Sequence, residues 1–269
     1  MRSRKLLFSG LNHASAMAFT AILWTAALVI FEFYPFGVRS ILITDMSQQY
    51  IEYHAALYDA VKNGGSLIFT WNTGLGMNFV GLFAYYLASP FTLLMFLFPR
   101  TAITEAVLFI ISAKIAVSGL TFSIFFRRAC KTKGFLNIIF SSLYALSAYT
   151  VVYCFNLMWL DAVILLPLVI LSLLHMQETR KTIPLIVTFS LLFFSNFYTA
   201  FMVGLFTLLV LITLLWLQNQ SFRKNLRVIL RFFGAAVMAA GLTAFITLPT
   251  AFALKDSQGS LSGDRKSVV

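Results

Sequence analysis

The segment from Thr44 to Tyr50 carries a side chain that could do acid–base chemistry in this 269-residue sequence. Asp45 follows a long apolar run and stands shortly before Gln49 and Tyr50, and its carboxylate could accept a proton or bind a cation. The alternative interpretation is that Asp45 is the N-cap of a helix that begins there, a role that Asp favours. The two roles are compatible only in part, because a carboxylate held by backbone N–H groups is a weaker base.

Two further segments with polar and aromatic side chains follow Asp45 along the chain. Trp71 to Phe79 combines glycines, which allow a tight backbone, with the amide side chains of Asn72 and Asn78, so it resembles a polar ligand-binding loop. It does not follow a strand, and a nucleotide-binding fingerprint is therefore excluded. Tyr85 to Phe91 is rich in aromatic residues, and by itself this pattern is typical of an aromatic belt at the membrane interface.

Two ionisable residues, Lys114 and Asp161, lie inside apolar runs. Charges at such depth are expensive and usually mark either a functional site or an ion pair. We therefore keep both interpretations: a functional role for each side chain, or a structural Lys114–Asp161 pair between two helices, with Glu32 as another candidate partner. The three histidines are scattered along the chain and give no metal-ligand spacing.

The composition shows which solvent surrounds these residues. Hydrophobic residues make up 60% of the chain, charged residues 11%, and Phe alone occurs 29 times, while the mean hydropathy is +0.88. An average soluble domain is about half apolar and roughly a quarter charged. The composition therefore predicts a polytopic membrane protein in a lipid bilayer.

The basic residues fix the expected topology. The formal charge of +11 would suggest nucleic-acid binding in a soluble protein, but 13 of the 20 Lys and Arg fall in four short clusters between apolar runs. The clusters are Arg2 to Lys5, Arg127 to Lys133, Arg180 with Lys181, and Arg223 to Arg231. That layout is typical of cytoplasmic loops, so we expect no nucleic-acid partner. The cysteines, Cys130 and Cys154, then face opposite sides, and no disulfide is expected.

A membrane span needs roughly 20 apolar residues, and the runs predict an all-α integral membrane protein with about seven transmembrane helices. The predicted spans are Ser15 to Phe36, Ala102 to Phe126, Phe135 to Tyr153, Leu157 to His175, two short spans within Ile183 to Leu217, and Phe232 to Leu254. The fifth and sixth result from splitting one long uncharged run at Ser195-Asn196-Phe197-Tyr198. The N-terminus is then cytoplasmic and the C-terminus external.

The segment Phe79 to Phe98 is apolar enough to cross, but crossing would move the later basic clusters outside. Pro90 also interrupts a long helix there, so we interpret the segment as re-entrant or surface-lying. A long first external loop, residues 37–101, then results. Within it, Gln48 to Asn63 predicts an amphipathic helix on the membrane surface, and Gly64-Gly65 is expected to end it.

Several of these blocks occur in an order that is similar to a known family. They are Asp45 just after the first span, Gln49-Tyr50, Trp71-Asn72 to Asn78-Phe79, Tyr85 to Phe91, Lys114, Asn156 to Asp161, and Ser195-Asn196-Phe197-Tyr198. Together, across about residues 30 to 255, they resemble the YfhO family of bacterial membrane proteins. Each block is modest alone, whereas their order and spacing are fairly specific.

The YfhO family is similar to the GT-C glycosyltransferases, and this implies a GT-C-like module whose first external loop carries surface-lying helices. The resemblance implies a multi-pass protein of the bacterial plasma membrane with an extracellular active site. It would transfer a sugar from a polyprenyl-phosphate-linked donor, such as undecaprenyl phosphate, to a cell-wall polymer such as lipoteichoic acid. The cofactor is unknown, with a divalent cation as a candidate. Family members are longer, so residues 1–254 are expected to form the module and residues 255–269 a polar external tail that begins a truncated downstream region.

The resemblance also implies roles for individual residues. Asp45 matches the acidic residue that serves as catalytic base or metal ligand, and Asp161 is a second acid that would orient Asp45 or the acceptor. The expected substrate-binding residues are Gln49, Tyr50, Asn72, Asn78, Tyr86, Lys114 and Asn196. Two alternatives stay open: a transporter or lipid flippase, in which Lys114 and Asp161 form a gating or proton-coupled pair, and an inactive truncated remnant.

Overall fold

The computed structural model describes residues 2–71, 76–219 and 221–252. Within these ranges the regular structure is helical except for one short hairpin, in which β1 pairs antiparallel with β2. The helices are α1 (Arg2–Ile30), α2 (Ile51–Asn63), α3 (Phe79–Leu82), α4 (Ile103–Ala129), α5 (Phe135–Ala145), α6 (Ala148–Val152), α7 (Leu160–Thr179), α8 (Ile183–Ser195), α9 (Phe197–Gln218) and α10 (Phe222–Leu242). The strands are β1 (Phe69–Thr70) and β2 (Met77–Asn78), and residues 244–252 are again helical. Because β1 directly precedes Trp71, the expectation that the segment from Trp71 to Phe79 does not follow a strand is wrong.

Five of the described helices are long and apolar enough to cross a membrane. They cover Asn12–Ile30, Arg100–Ala129, Leu160–Thr179, Phe197–Gln218 and Phe222–Leu242. The all-α membrane class predicted from composition is confirmed. The apolar helices α5 and α8 occupy the remaining two predicted spans but have only 11 and 13 residues, so the count of seven spans stays a prediction.

Several boundaries differ from the prediction. The first helix ends at Ile30 rather than at Phe36. The run Phe135 to Tyr153 is not one helix, because the chain turns at Leu146-Ser147 between α5 and α6. The last span begins at Phe222, ten residues before the predicted start at Phe232, and breaks at Thr243. Hydropathy places a span edge at the first charge, whereas the helix continues through the basic cluster because its backbone hydrogen bonds form regardless of side-chain charge.

The segment after the hairpin is sharply bent. Phe79–Leu87 and Pro90–Leu97 meet at an angle of 92°. The break falls at Ser89-Pro90, where Pro90 cannot donate a helical hydrogen bond and the residue before it is pushed to extended geometry; Ser89 has φ −59° and ψ 133°. The interruption at Pro90 is as predicted, while the side of the membrane on which the segment lies stays a prediction.

Helix α4 lies at the centre of the bundle and packs against α1, α5 and α7. Its residues are buried along most of its length. Close approach of α1 depends on Gly119, because a Cβ at this position would lie 2.5 Å from Thr20 Oγ1. Thr20 in turn bonds to the carbonyl of Ala16 at 2.8 Å and lies 3.0 Å from the hydroxyl of Ser142 on α5. Small and hydroxylated side chains therefore join α1, α4 and α5, as in other membrane bundles.

The long loop between α1 and α4, which was predicted to be external, folds onto this bundle. A π-helical turn, Met46–Tyr50, leads directly into α2, and Gly64 ends that helix in the left-handed conformation at φ 74°. The predicted amphipathic helix and its glycine end are both present. Its apolar face is buried against the protein, since α2 contacts α4 and the bent segment.

Candidate functional site

Asp45 and Tyr50 meet at the start of the outer loop's first helix. Asp45 is exposed and its carboxylate accepts no backbone N–H hydrogen bond from the turn that follows, so the interpretation of its side chain as an N-cap is wrong. The π-helical turn bonds residues five apart, and this brings the Tyr50 hydroxyl to 3.3 Å from Asp45 Oδ2. The carboxylate therefore faces outward with one hydrogen-bond donor beside it.

The Tyr50 hydroxyl also reaches the bundle. It lies 3.0 Å from Oδ1 of Asn156, in the segment just before α7, and it has one proton to share between the two oxygens. Burial, the first cause, and the negative charge of Asp45 both raise the pKa of Tyr50 well above its usual value of 10. Tyr50 thus stays protonated at neutral pH and connects Asp45 to a buried amide.

Aromatic rings surround this pair. Tyr86, from the bent segment, lies 5.3 Å from the ring of Tyr50 and 5.0 Å from that of Tyr53. Tyr85 packs on Tyr86 at 4.6 Å and approaches Tyr198 at 6.3 Å. The structure therefore brings Asp45, Tyr50 and Tyr86 together, and Tyr86 contacts α2 rather than standing alone at the lipid boundary.

Below the aromatic layer lies a buried ion pair. Lys114 Nζ donates to Asp161 Oδ2 at 2.7 Å and to the carbonyl of Leu157 at 2.8 Å, while the Ser89 hydroxyl donates to Asp161 Oδ1 at 2.9 Å. Lys114 is 1% and Asp161 3% exposed, and the Lys114 ammonium stands 5.7 Å from the ring centre of Phe91. Asp161 is thus the partner of Lys114, and the pair fastens α4 and α7 to the bent outer segment. A catalytic role for Asp161 and substrate binding by Lys114 stay predictions.

Two predicted site residues make structural contacts. Asn196 accepts from the backbone N–H of Thr199 at 2.8 Å, which caps α9, and donates to the carbonyl of Tyr85 at 2.8 Å. Asn78 accepts from the backbone N–H of Val80 at 2.9 Å and caps α3. Asn196 therefore holds the aromatic segment in place, and substrate binding by either amide stays a prediction.

The remaining predicted residues are divided between the surface and the part of the chain that is not described. Gln49 is exposed on the same turn as Asp45, whereas Asn72 lies outside the described residues. In the described ranges, no group of three His, Cys, Asp or Glu side chains could hold a metal ion. A cation at Asp45 would therefore find at most one further ligand of these types among the described residues.

Sequence reasoning missed two residues of this site. Asn156 was visible as a polar residue ahead of an apolar run, but only the fold places it beneath Tyr50. His54 is fully buried, and its Nδ1 donates to the Tyr50 carbonyl at 2.7 Å. Burial, opposed by that hydrogen bond and reinforced by Lys114, lowers the pKa of His54 to about 4, so the imidazole is neutral at physiological pH. The i, i+4 spacing of Tyr50 and His54 was the available signal.

An apolar cavity of about 220 Å³ lies beside this site, between α1, α4 and the segment after α6. Its lining includes Trp24, Leu28, Leu108 and Phe155, and also Ile43, two residues before Asp45. The cavity could accept a hydrocarbon chain whose polar end lies near the carboxylate.

A comparison with known protein families shows which family this chain belongs to. The model of the family described as bacterial membrane protein YfhO matches residues 15–267. The chain belongs to the YfhO family. The match spans the bundle, the outer loop and the Asp45 site of this YfhO family member, as the resemblance predicted. No curated protein and no solved structure matches the sequence.

Proposed function

We propose that this YfhO family member is a membrane glycosyltransferase that moves a sugar from a polyprenyl-phosphate-linked donor to a cell-wall polymer such as lipoteichoic acid on the outer face of the plasma membrane. The observation that carries the proposal is the exposed carboxylate of Asp45, held next to the Tyr50 hydroxyl and two residues after Ile43, which lines an apolar cavity. Family membership is compatible with this enzyme class.

The proposed reaction uses Asp45 as a general base. The carboxylate removes the proton from an acceptor hydroxyl, whose oxygen attacks the anomeric carbon of the donor sugar. The bond between that carbon and the phosphate oxygen breaks, and the polyprenyl phosphate leaves with the electron pair. General-base assistance contributes roughly 10²- to 10⁴-fold in rate. Tyr50 would orient the carboxylate, and Tyr86 would offer an aromatic face to the sugar.

The leaving phosphate needs a positive charge that the buried pair is poorly placed to supply. Lys114 is almost fully enclosed and already bonded to Asp161. Arg39 is exposed, and it lies in the segment between α1 and Asp45. A divalent cation at Asp45 would take most of its ligands from the donor phosphate and water, as Mg²⁺ often does. The apolar cavity beside Ile43 would hold the first part of the polyprenyl chain.

The test compares two outer-loop carboxylates in cells that lack this gene. The Asp45→Asn protein, expressed in these cells and inserted at the wild-type level, should fail to restore the sugar substituent. The substituent is scored by mass spectrometry of the wall polymers. Asp59→Asn is the matched control: it removes the same charge from an exposed site that pairs with Arg100, and it should restore the sugar. Normal glycosylation by the Asp45→Asn protein would exclude Asp45 as the base.

The transporter alternative predicts a different result with purified protein. In detergent or vesicles with a polyprenyl-phosphate sugar and a polymer acceptor, a glycosyltransferase gives donor-dependent incorporation. A transporter or flippase, and equally an inactive remnant, gives none, and this outcome would contradict the proposed enzyme class.

A further inference from the structure

A second cavity lies at the end of the bundle away from Asp45. It measures about 480 Å³ and is enclosed by the last turns of α4 and α7, the start of the loop after α4, and the first turn of α8. Its lining combines charged and polar side chains, Arg128, Lys131, His175 and Glu178, with apolar ones that include Leu171 and Leu174. None of these residues belongs to the site described above.

The depth of this cavity follows from helix geometry. Lys114 and Asp161 are in contact across α4 and α7, and Arg128 and His175, each 14 residues further along its helix, line one cavity. The two helices therefore run parallel and in register. Fourteen residues of helix span roughly 21 Å, which is most of a hydrocarbon core about 30 Å thick. Because the ion pair lies just beneath the outer segment, the cavity falls at the level of the opposite headgroups.

The charge of the cavity favours an anion. The two positive charges of Arg128 and Lys131 outnumber the single negative charge of Glu178. Two further basic residues, Arg180 and Lys181, lie in the exposed loop at the same end. A guanidinium fork matches the geometry of phosphate oxygens. The distribution of Lys and Arg predicts that this end is cytoplasmic.

The apolar wall indicates what kind of anion fits. Leu171, Leu174 and Pro184 border the same space as the cations, so a ligand that fills it has a charged head and a hydrocarbon part. Basic pockets between membrane helices at the cytoplasmic side suit anionic lipid headgroups. We propose that this cavity binds one anionic phospholipid, with its phosphate between Arg128 and Lys131 and an acyl chain along Leu171 and Leu174.

This binding does not depend on the proposed glycosyltransferase activity. A bound lipid at this position would contact α4, α7 and α8 together. We therefore expect occupancy to stabilise the inner end of the bundle in proportion to its affinity.

The test uses the full chain purified in detergent, with phosphatidylglycerol and phosphatidylcholine of identical acyl chains as probes. Native mass spectrometry should detect one retained phosphatidylglycerol per chain, together with a higher melting temperature than in phosphatidylcholine. Removal of both cations by Arg128→Gln with Lys131→Gln should weaken phosphatidylglycerol binding about thirtyfold, since each basic residue near a lipid surface contributes roughly a factor of five. Lys133→Gln is the control, because it removes one charge from the same loop outside the cavity lining.

Two further variants test the shape of the cavity and its negative charge separately. Leu174→Trp fills the cavity without a change in charge and should also reduce retention, while Glu178→Gln should increase it. Equal retention by the double variant and Lys133→Gln would overturn the proposal, as would equal affinity for phosphatidylcholine. Displacement of the bound lipid by millimolar inorganic phosphate would also overturn it, because the site would then bind a soluble phosphate rather than a phospholipid.

Discussion

The buried pair of Lys114 and Asp161 permits a quantitative prediction. In a Lys114→Met variant, the Asp161 carboxylate would keep only the Ser89 hydroxyl as a partner while remaining 3% exposed. Breaking a buried pair from one side costs about 3–5 kcal/mol, because an uncompensated charge stays buried. That corresponds to a loss of roughly 10²- to 10³-fold or more in the ratio of folded to unfolded protein.

The double variant Lys114→Met with Asp161→Leu removes both charges. Replacing a buried pair with apolar residues of similar volume is often neutral or stabilising. The Ser89 hydroxyl then loses its acceptor and the Leu157 carbonyl loses the Lys114 donor, at a cost of about 1 kcal/mol each. We expect the double variant to lie within about 2 kcal/mol of the wild type, so the two substitutions should show a large favourable coupling.

The assay is equilibrium unfolding in mixed micelles, with the amount of helix as the readout. Arg100→Gln is the control, because Arg100 and Asp59 form a pair at 3.0 Å but are 44% and 41% exposed, and such pairs contribute at most about 1 kcal/mol. The reasoning would be refuted if Lys114→Met stayed within about 1 kcal/mol of the wild type, or if the double variant were as unstable as the single one. Sugar transfer by a folded double variant would assign the pair a purely structural role.

Three other predictions concern the site and the bundle. Tyr50→Phe removes the hydroxyl beside Asp45 and should slow sugar transfer about tenfold, the equivalent of one hydrogen bond, as measured by incorporation at saturating donor. Because burial lowers the pKa of His54 from 6.5 to about 4, the unfolded chain binds a proton in that interval that the folded chain does not. The free energy of unfolding should therefore fall by up to about 3 kcal/mol as the pH drops from 6.5 to 4, measured by unfolding titrations at each pH. Gly119→Ala forces a methyl group against Thr20 and should cost about 1–3 kcal/mol of stability in the same unfolding assay.

Each of these has its own control. Tyr53→Phe alters a neighbouring ring with no hydroxyl bond to Asp45 among the described contacts and should transfer sugar normally; equal loss in both variants would contradict a positioning role for Tyr50. His54→Asn should flatten the acid slope, and an unchanged slope would assign it to other groups. Thr20→Ala added to Gly119→Ala should recover part of the stability, and no recovery would place the clash elsewhere.

Much of the fold was accessible from local patterns. The apolar runs gave the positions of α1, α4, α7 and α9, and Gly64 and Pro90 marked the end of α2 and the bend that follows it. These features depend on neighbours in the chain, which hydropathy and backbone preference describe. The break inside residues 135–153 was not accessible, because no change in hydropathy marks it. The start of α10 was predicted too late, because the helix continues through the basic cluster, where hydropathy falls.

For the candidate site, too, some features could be predicted from local sequence patterns and others could not. The sequence by itself determined the membrane class, the family, the aromatic and amide segments of the outer loop, and Asp45 as its acidic residue. Only the tertiary structure decided that Asp45 caps no helix, that Lys114 pairs with Asp161, and that Asn156 supports Tyr50 from 106 positions away. The physical reason is that composition and periodicity depend on whether each segment faces lipid, water or the protein interior. Hydrogen bonds and ion pairs between distant segments depend instead on how helices pack, and no local pattern in a single chain encodes that.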